Sequence, residues 1–282
     1  MRIIDLLKKA FFGGEWAVGY REIGKGKYTI IPLSVGWIAD PFMIEYQGEH
    51  YLFVEYVNGK RGQIAYYKFI DNKPVFQKVI ISERYHLSYP CVFMHGADVY
   101  MIPESADNHS IDLYKAVSFP DRWEKVSRLE DGIYYDTTYV NYKEKDYLIT
   151  YSPKKGYFEL GLFAFDIDGR KIEKLAEVQY KENIGRPAGK IYVDNCEMIR
   201  PAQDCSRKYG ENLLFYRVEG LDDGKFSEAL IKTISAKETD SSFQRIHTYN
   251  TDTEYETVDF FKEQFHLFRP FKLMLKIAKQ RL

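Results

Sequence analysis

Apolar and polar residues alternate in short runs along most of this chain, the period-two signature of half-buried strands. Four units of such runs share one grammar. They open at Ala39-Asp40-Pro41-Phe42, Ser88-Tyr89-Pro90-Cys91, Tyr135-Asp136-Thr137-Thr138 and Gly185-Arg186-Pro187-Ala188, about 50 residues apart, a period near that of propeller blades. An alternating strand follows each opening. A second strand ends at Glu55, Glu104, Tyr151 and Pro201, in each case 14 residues after Pro41, Pro90, Thr137 and Pro187. Gln47-Gly48, His95-Gly96 and Asp194-Asn195 punctuate the turns between these strands. Third strands run through Gln63–Tyr67, Ile111–Tyr114, Leu160–Phe163 and Leu213–Tyr216.

A fifth, degenerate unit is read from Ala229-Leu230-Ile231 through Arg245–Tyr249 to Tyr255–Val258. Trp16–Tyr20 has the pattern of a strand that completes this last blade and removes an open sheet edge. The expectation is an all-β, five-bladed β-propeller over residues 16–262, with an N-terminal amphipathic segment 1–15 and a short basic amphipathic C-terminal helix over 263–282. A β-sandwich is the competing architecture, since regularly spaced short strands build either.

Composition narrows the function classes. Of 282 residues, 45% are apolar and 16% aromatic, enough for a large β-rich core. The net charge of −1, from 40 basic and 41 acidic residues, provides no field to recruit nucleic acid. Cys91, Cys196 and Cys205 are odd in number and lack metal-type spacing, as in a reducing compartment. Met1–Phe12 carries Asp5, Lys8 and Lys9 within its apolar residues, unlike a signal peptide, so a cytoplasmic location is expected. No stretch reaches the ~18 apolar residues of a spanning helix.

In a propeller the first strand of every blade lines the central channel. Trp37 with Asp40, His86 with Tyr89, Asp136 with Thr137, Arg186 and His247 are therefore expected to face one polar, sugar-sized funnel. Carboxylates and an arginine bind hydroxyls through charged hydrogen bonds, and rings stack on sugar faces. Each residue alone has an ordinary structural use; their recurrence at equivalent positions carries the argument.

Trp37-Ile38-Ala39-Asp40-Pro41-Phe42, His86-Leu87-Ser88-Tyr89-Pro90, Ile102-Pro103-Glu104-Ser105, Arg186-Pro187-Ala188-Gly189 and Arg200-Pro201-Ala202-Gln203-Asp204-Cys205-Ser206 resemble the N-terminal domain of the glucosamine inositolphosphorylceramide transferase family. That domain is similar in turn to five-bladed-propeller arabinofuranosidases and xylosidases. In those hydrolases an Asp opening the first blade is the general base, an Asp opening a central blade tunes acidity, and a Glu in the fourth blade is the acid. The resemblance thus implies catalytic roles for Asp40 and Asp136. The fourth blade here opens with Arg186 instead of an acid, and Glu104 is the alternative proton donor.

A departing sugar oxygen needs a proton, whereas a departing nucleotide diphosphate needs cations. Arg186, Lys190, Arg200 and Arg207 are the candidate cations, and Gln203 and Asp204 complete the expected substrate-binding set. Neither a metal nor a cofactor is expected. Arg269, Lys272, Lys276, Lys279 and Arg281 alternate with Phe268, Phe271, Leu275 and Ala278 beyond the last acid, Glu263, a pattern suited to an anionic membrane interface or to docking on protein. The expected function is a peripheral membrane glycosyltransferase of surface-polysaccharide or glycolipid assembly. It would take a nucleotide-sugar donor, furanoses included, and a glycan or lipid-linked glycan acceptor. A glycoside hydrolase using Asp40 and Glu104, and a non-catalytic glycan-binding module, are the rivals.

Overall fold

A computed structural model describes residues 12–221 and 225–265. The N-terminal segment 1–11 and the tail beyond 265 lie outside the described residues; the helix expected over 263–282 falls there, except that residues 263–265 end a strand.

Five antiparallel sheets of four or five strands account for nearly all of the chain. Blade one is β3 (Trp37–Tyr46), β4 (Glu49–Val57), β5 (Gly62–Ile70) and β6 (Lys73–Ile81). Blade two runs from β7 (Ser88–His95) and β8 (Asp98–Ser105) to β9 (Ser110–Ser118) and β10 (Arg122–Asp131). Blade three is β11 (Tyr135–Tyr142), β12 (Lys145–Lys154), β13 (Tyr157–Asp166) and β14 (Lys171–Tyr180). In blade four, β15 (Ile184–Pro187) and the short β16 (Tyr192–Asp194) both pair with β17 (Glu197–Asp204), followed by β18 (Asn212–Gly220) and β19 (Ser227–Ser235). The repeat predicted from sequence is thus the fold, and the sandwich is excluded by five separate sheets.

The last blade closes the ring. β20 (Arg245–Thr251) and β21 (Tyr255–Phe265) come from the end of the described chain, and β1 (Phe12–Glu22) adds from the start. β1 pairs with β21 without a shift from Phe12↔Phe265 to Glu22↔Tyr255, and β2 (Thr29–Ile30) covers its edge. One part of the sequence reading is corrected here: Ala229–Ile231 belongs to β19, the outer strand of blade four, where Leu230 pairs with Tyr216. An outer strand has one side open to solvent, which is why Leu230 and Ile231 are exposed and why their run reads weakly.

Inner strands are buried on both faces. β3 and β7 present Phe42, Met43, Tyr89 and Val92 at 0% exposure, and facing blades interdigitate through Phe53, Leu87, Ile102 and Leu148. Each such side chain is worth about 1.5–3 kcal/mol of apolar burial, so blade packing holds the axis rigid. Among the described residues no helix is long and apolar enough to cross a membrane.

Candidate functional site

The first strand of each blade breaks register near the axis. Bulges fall between Ala39 and Phe42, Ser88 and Cys91, Tyr135 and Thr138, Ile184 and Arg186, and Ile246 and Tyr249. At three of them the repeat-equivalent residue sits at positive φ: Asp40 at 49°, Tyr89 at 45° and Asp136 at 51°. L-residues rarely adopt this region, and it costs on the order of 1–3 kcal/mol each. A bulge re-aims a side chain; here it turns blade-opening residues toward the channel.

Asp40 is 4% exposed and fully engaged. Its Oδ1 accepts from the Thr248 hydroxyl at 2.9 Å and its Oδ2 from the Tyr89 N–H at 3.1 Å. Its own N–H donates to Asp259 Oδ2 at 2.9 Å. Asp259 Oδ1 meanwhile accepts from the N–H groups of His247 and Thr248 and lies 2.7 Å from His247 Nδ1, whose Nε2 is 3.5 Å from Asp40 Oδ1. Trp16 stacks on the imidazole at 3.8 Å. Burial pushes the Asp40 carboxyl up to about 7; His247 opposes this, while Glu55, Asp136 and Asp259 reinforce it. Burial works against a charged His247, but Asp259, Asp40 and Asp136 outweigh it and hold its pKa above the ordinary value.

Arg186 binds the second half of the site. Its Nε donates to Asp136 Oδ2 at 2.5 Å, and its Nη2 to Glu104 Oε2 at 2.9 Å and Asp136 Oδ1 at 3.2 Å. Tyr135 and Tyr209 flank the guanidinium at 4.6 and 5.4 Å. Gln203 adds a 2.7 Å bond from Nε2 to Asp136 Oδ2. Burial raises the Glu104 pKa well above its usual range, and the Asp136 charge outdoes part of the opposing pull of Arg186. Nearby, His86 Nδ1 accepts the Gly62 N–H, which places its proton on Nε2, 2.9 Å from Glu55 Oε1.

The structure therefore gathers Asp40, His86, Tyr89, Glu104, Asp136, Arg186, Gln203 and His247 around one end of the axis. Thr137 stands behind them, buried, sharing a hydrogen bond with Thr150. Trp37 pairs with Val57 in the β3–β4 ladder, and its side chain makes no hydrogen bond or ring contact among the described residues. The expected cluster of four cations does not form. Arg200 is buried and forks onto Glu228 at 2.6 and 2.7 Å, donating also to Gly185 O, so it braces the blade-four bulge from within the sheet. Arg207 is exposed and pairs with Glu211. Asp204 caps a turn through Ser206 and Asn212. Lys190 donates to Met43 O, three residues or about 10 Å along β3 from Asp40, beyond the carboxylate end.

Sequence reading missed Glu55, Thr248, Asp259 and Trp16. Glu55 had a signal: it holds the same offset as Glu104, and both pair with the residue before the blade-opening one, Ala39 and Ser88. Asp259 and Trp16 had none, because they belong to the blade assembled from both ends of the described chain. Asp40, His247 and Asp259 offer ligand-type atoms within 4.8 Å of one another. Their oxygens already receive the Thr248 hydroxyl and four backbone N–H groups, so the set is built as a hydrogen-bonded relay and not as an open ligand shell.

This is a five-bladed β-propeller with an acidic cluster at one end of its axis, a fold it shares with glycoside hydrolases. A thermostable family-43 glycoside hydrolase superposes with a TM-score of 0.63 at 12% identity, covering 82% of this chain and 91% of that one. A Bombyx mori GH32 β-fructofuranosidase does so at 0.61 and 13%, covering 89% and 57%. At these identities the likeness is one of fold. The family model described as glucosamine inositolphosphorylceramide transferase 1, N-terminal, matches residues 15–254, and the chain belongs to that family. The Arabidopsis thaliana glucosamine inositolphosphorylceramide transferase 1 is 27% identical over 227 residues, 76% of this chain and 30% of that protein. The Oryza sativa subsp. indica protein of the same name is 28% identical over 218 residues, 68% and 27% of the two chains. The chain thus spans under a third of the length of these relatives.

Proposed function

We propose that the carboxylate end of the propeller transfers a glycosyl group from a nucleotide-linked donor to a hydroxyl of a glycan or glycolipid, with Asp40 as general base. The observation that carries the reading is the setting of Asp40: a buried carboxyl with a pKa near 7, at a blade-opening bulge. The transferase name and lipid substrate of the relatives support the reaction class. In the reaction Asp40 takes the acceptor's hydroxyl proton as that oxygen attacks the anomeric carbon. The bond to the leaving phosphate breaks, and its electron pair departs on the phosphate oxygen. His247, tied to Asp259, compensates Asp40 while it is ionised, and Asp136, pinned by Arg186 and Gln203, raises its proton affinity. Arg186 is left with Nη1, which makes no hydrogen bond among the described residues, to meet a donor phosphate. We place the reaction at the cytoplasmic face of an anionic membrane, on the pattern of the basic tail.

A second reading has its own observation. Arg186 is occupied by Asp136 and Glu104, and burial drives the Glu104 pKa well above its usual range, the direction required of the acid that a glycoside hydrolase uses alongside a base. The deciding experiment incubates the protein with nucleotide sugars plus glycolipid acceptors, and separately with aryl glycosides. Nucleotide release that depends on acceptor supports transfer. Free sugar from glycosides without nucleotide selects hydrolysis, and glycan binding with neither product overturns both.

A further inference from the structure

The axial channel is divided in two. Tyr89, 0% exposed, lies across it: its N–H serves Asp40 on one side, while its hydroxyl accepts the Gly189 N–H at 2.7 Å and pairs with Thr138 at 2.8 Å. Gly189 is itself pressed against the last blade, for at φ +138° a Cβ would sit 1.9 Å from Tyr249 O. Past this plug the first strands run on to a second opening, a pocket of about 510 Å³, within the range of small-molecule sites.

Four blades reach this pocket with the residue three places after Pro41, Pro90, Thr137 and Pro187. Three supply apolar groups, Ile44, Phe93 and Val140, and the fourth supplies the part-buried cation Lys190; blade three adds Lys143, which is exposed and lies over the Tyr142 ring. Its Nζ donates once, to Met43 O, and no carboxylate among the described residues lies within ion-pair distance. An ammonium has three donors, and burying it without a counter-charge is costly. Burial accordingly pulls Lys190 down to about 8. The walls are largely apolar apart from Asn141 and the two lysines, with Phe93 and Tyr139 stacked at 3.9 Å, and Met94 and Val193 stand exposed at the rim.

We propose that this opening is a second ligand site, separate from the carboxylate end, for a small amphiphile: an aromatic or aliphatic body against Phe93 and Tyr139 and one anionic group on Lys190 Nζ. The site stands whichever reaction runs beyond Tyr89. The test titrates 8-anilinonaphthalene-1-sulfonate and the neutral N-phenyl-1-naphthylamine by fluorescence against the full chain, Lys190→Met and Asp40→Asn. The wild type should bind one sulfonate probe at least about tenfold more tightly than the neutral one, the order of a charged hydrogen bond. Lys190→Met should abolish that preference, and Asp40→Asn should leave it unchanged. Equal sulfonate binding by Lys190→Met, or loss of binding in Asp40→Asn, overturns the assignment. Displacement of the probe by equimolar inorganic phosphate overturns the amphiphile in favour of a bare anion site. Should Lys190→Met fail to fold, acetylation of Lys190 in the wild-type protein, mapped by peptide mass, must be blocked by the sulfonate and not by the neutral probe; unprotected Lys190 refutes the site.

Discussion

Asp40→Asn separates the chemistry of the site from its packing. The amide keeps the carboxylate's shape: its Oδ1 can accept the Tyr89 N–H, and its Nδ2 can donate to the Thr248 hydroxyl, which reverses its role. What disappears is a charge the fold holds at a cost. The Asp40 pKa rises from 3.8 to about 7, some three units, which at about 1.36 kcal/mol per unit amounts to about 4 kcal/mol at most. Between these two pKa values the native state binds a proton that the unfolded chain has released, so stability falls as pH rises and levels off above about 7. Roughly two of the three units lie between pH 5 and 7, so the variant should gain up to about 3 kcal/mol on the wild type between pH 5 and 8. At about 2–4 °C per kcal/mol for a domain of 150–250 residues, that is several degrees of melting temperature. Melting curves of both proteins at pH 5 and 8 measure this. Transfer turnover should fall by about 10²- to 10⁴-fold, the usual share of a general base, with donor affinity little changed. Parallel pH–stability curves would refute the buried-carboxylate reasoning, and full turnover would remove Asp40 from the mechanism.

Three further outcomes are expected. Arg186→Met leaves Asp136 and Glu104 facing each other without their cation and should cost on the order of 3–5 kcal/mol at pH 8 by urea unfolding, less at pH 5 where Glu104 takes up a proton; a pH-independent loss would contradict the bridge. Arg200→Met strands Glu228 inside blade four and should destabilise by a similar amount, whereas a loss of donor binding with intact stability would return Arg200 to the site. Removing residues 266–282 should leave the melting temperature within a degree or two while abolishing sedimentation with anionic vesicles; unchanged vesicle binding would end the membrane-tail reading.

The repeat could be read from sequence because a propeller blade is a local object. Its strands follow one another through short turns; three of the openings at Asp40, Tyr89, Asp136 and Arg186 are followed by Pro, and in all four the second strand ends at the same offset. Convergence of those openings follows from the architecture, so Asp40, Asp136, Arg186 and His247 were legible as one cluster, whereas Glu104, on a second strand, was suggested only by the family resemblance. Charge partnership was not. Arg186, Lys190, Arg200 and Arg207 are alike as letters, yet one bridges two acids, one faces the opposite opening, one braces a sheet and one lies in solvent. A strand's alternation tells which face a residue occupies, but not how far along the axis it sits or which blade supplies its counter-charge. Those depend on bulges that shift register and on closure by β1. Closure is why Trp16 and Asp259, 243 positions apart in sequence, flank the same imidazole. The sequence determined the blades and which residues open them; the closed ring decided which charges meet.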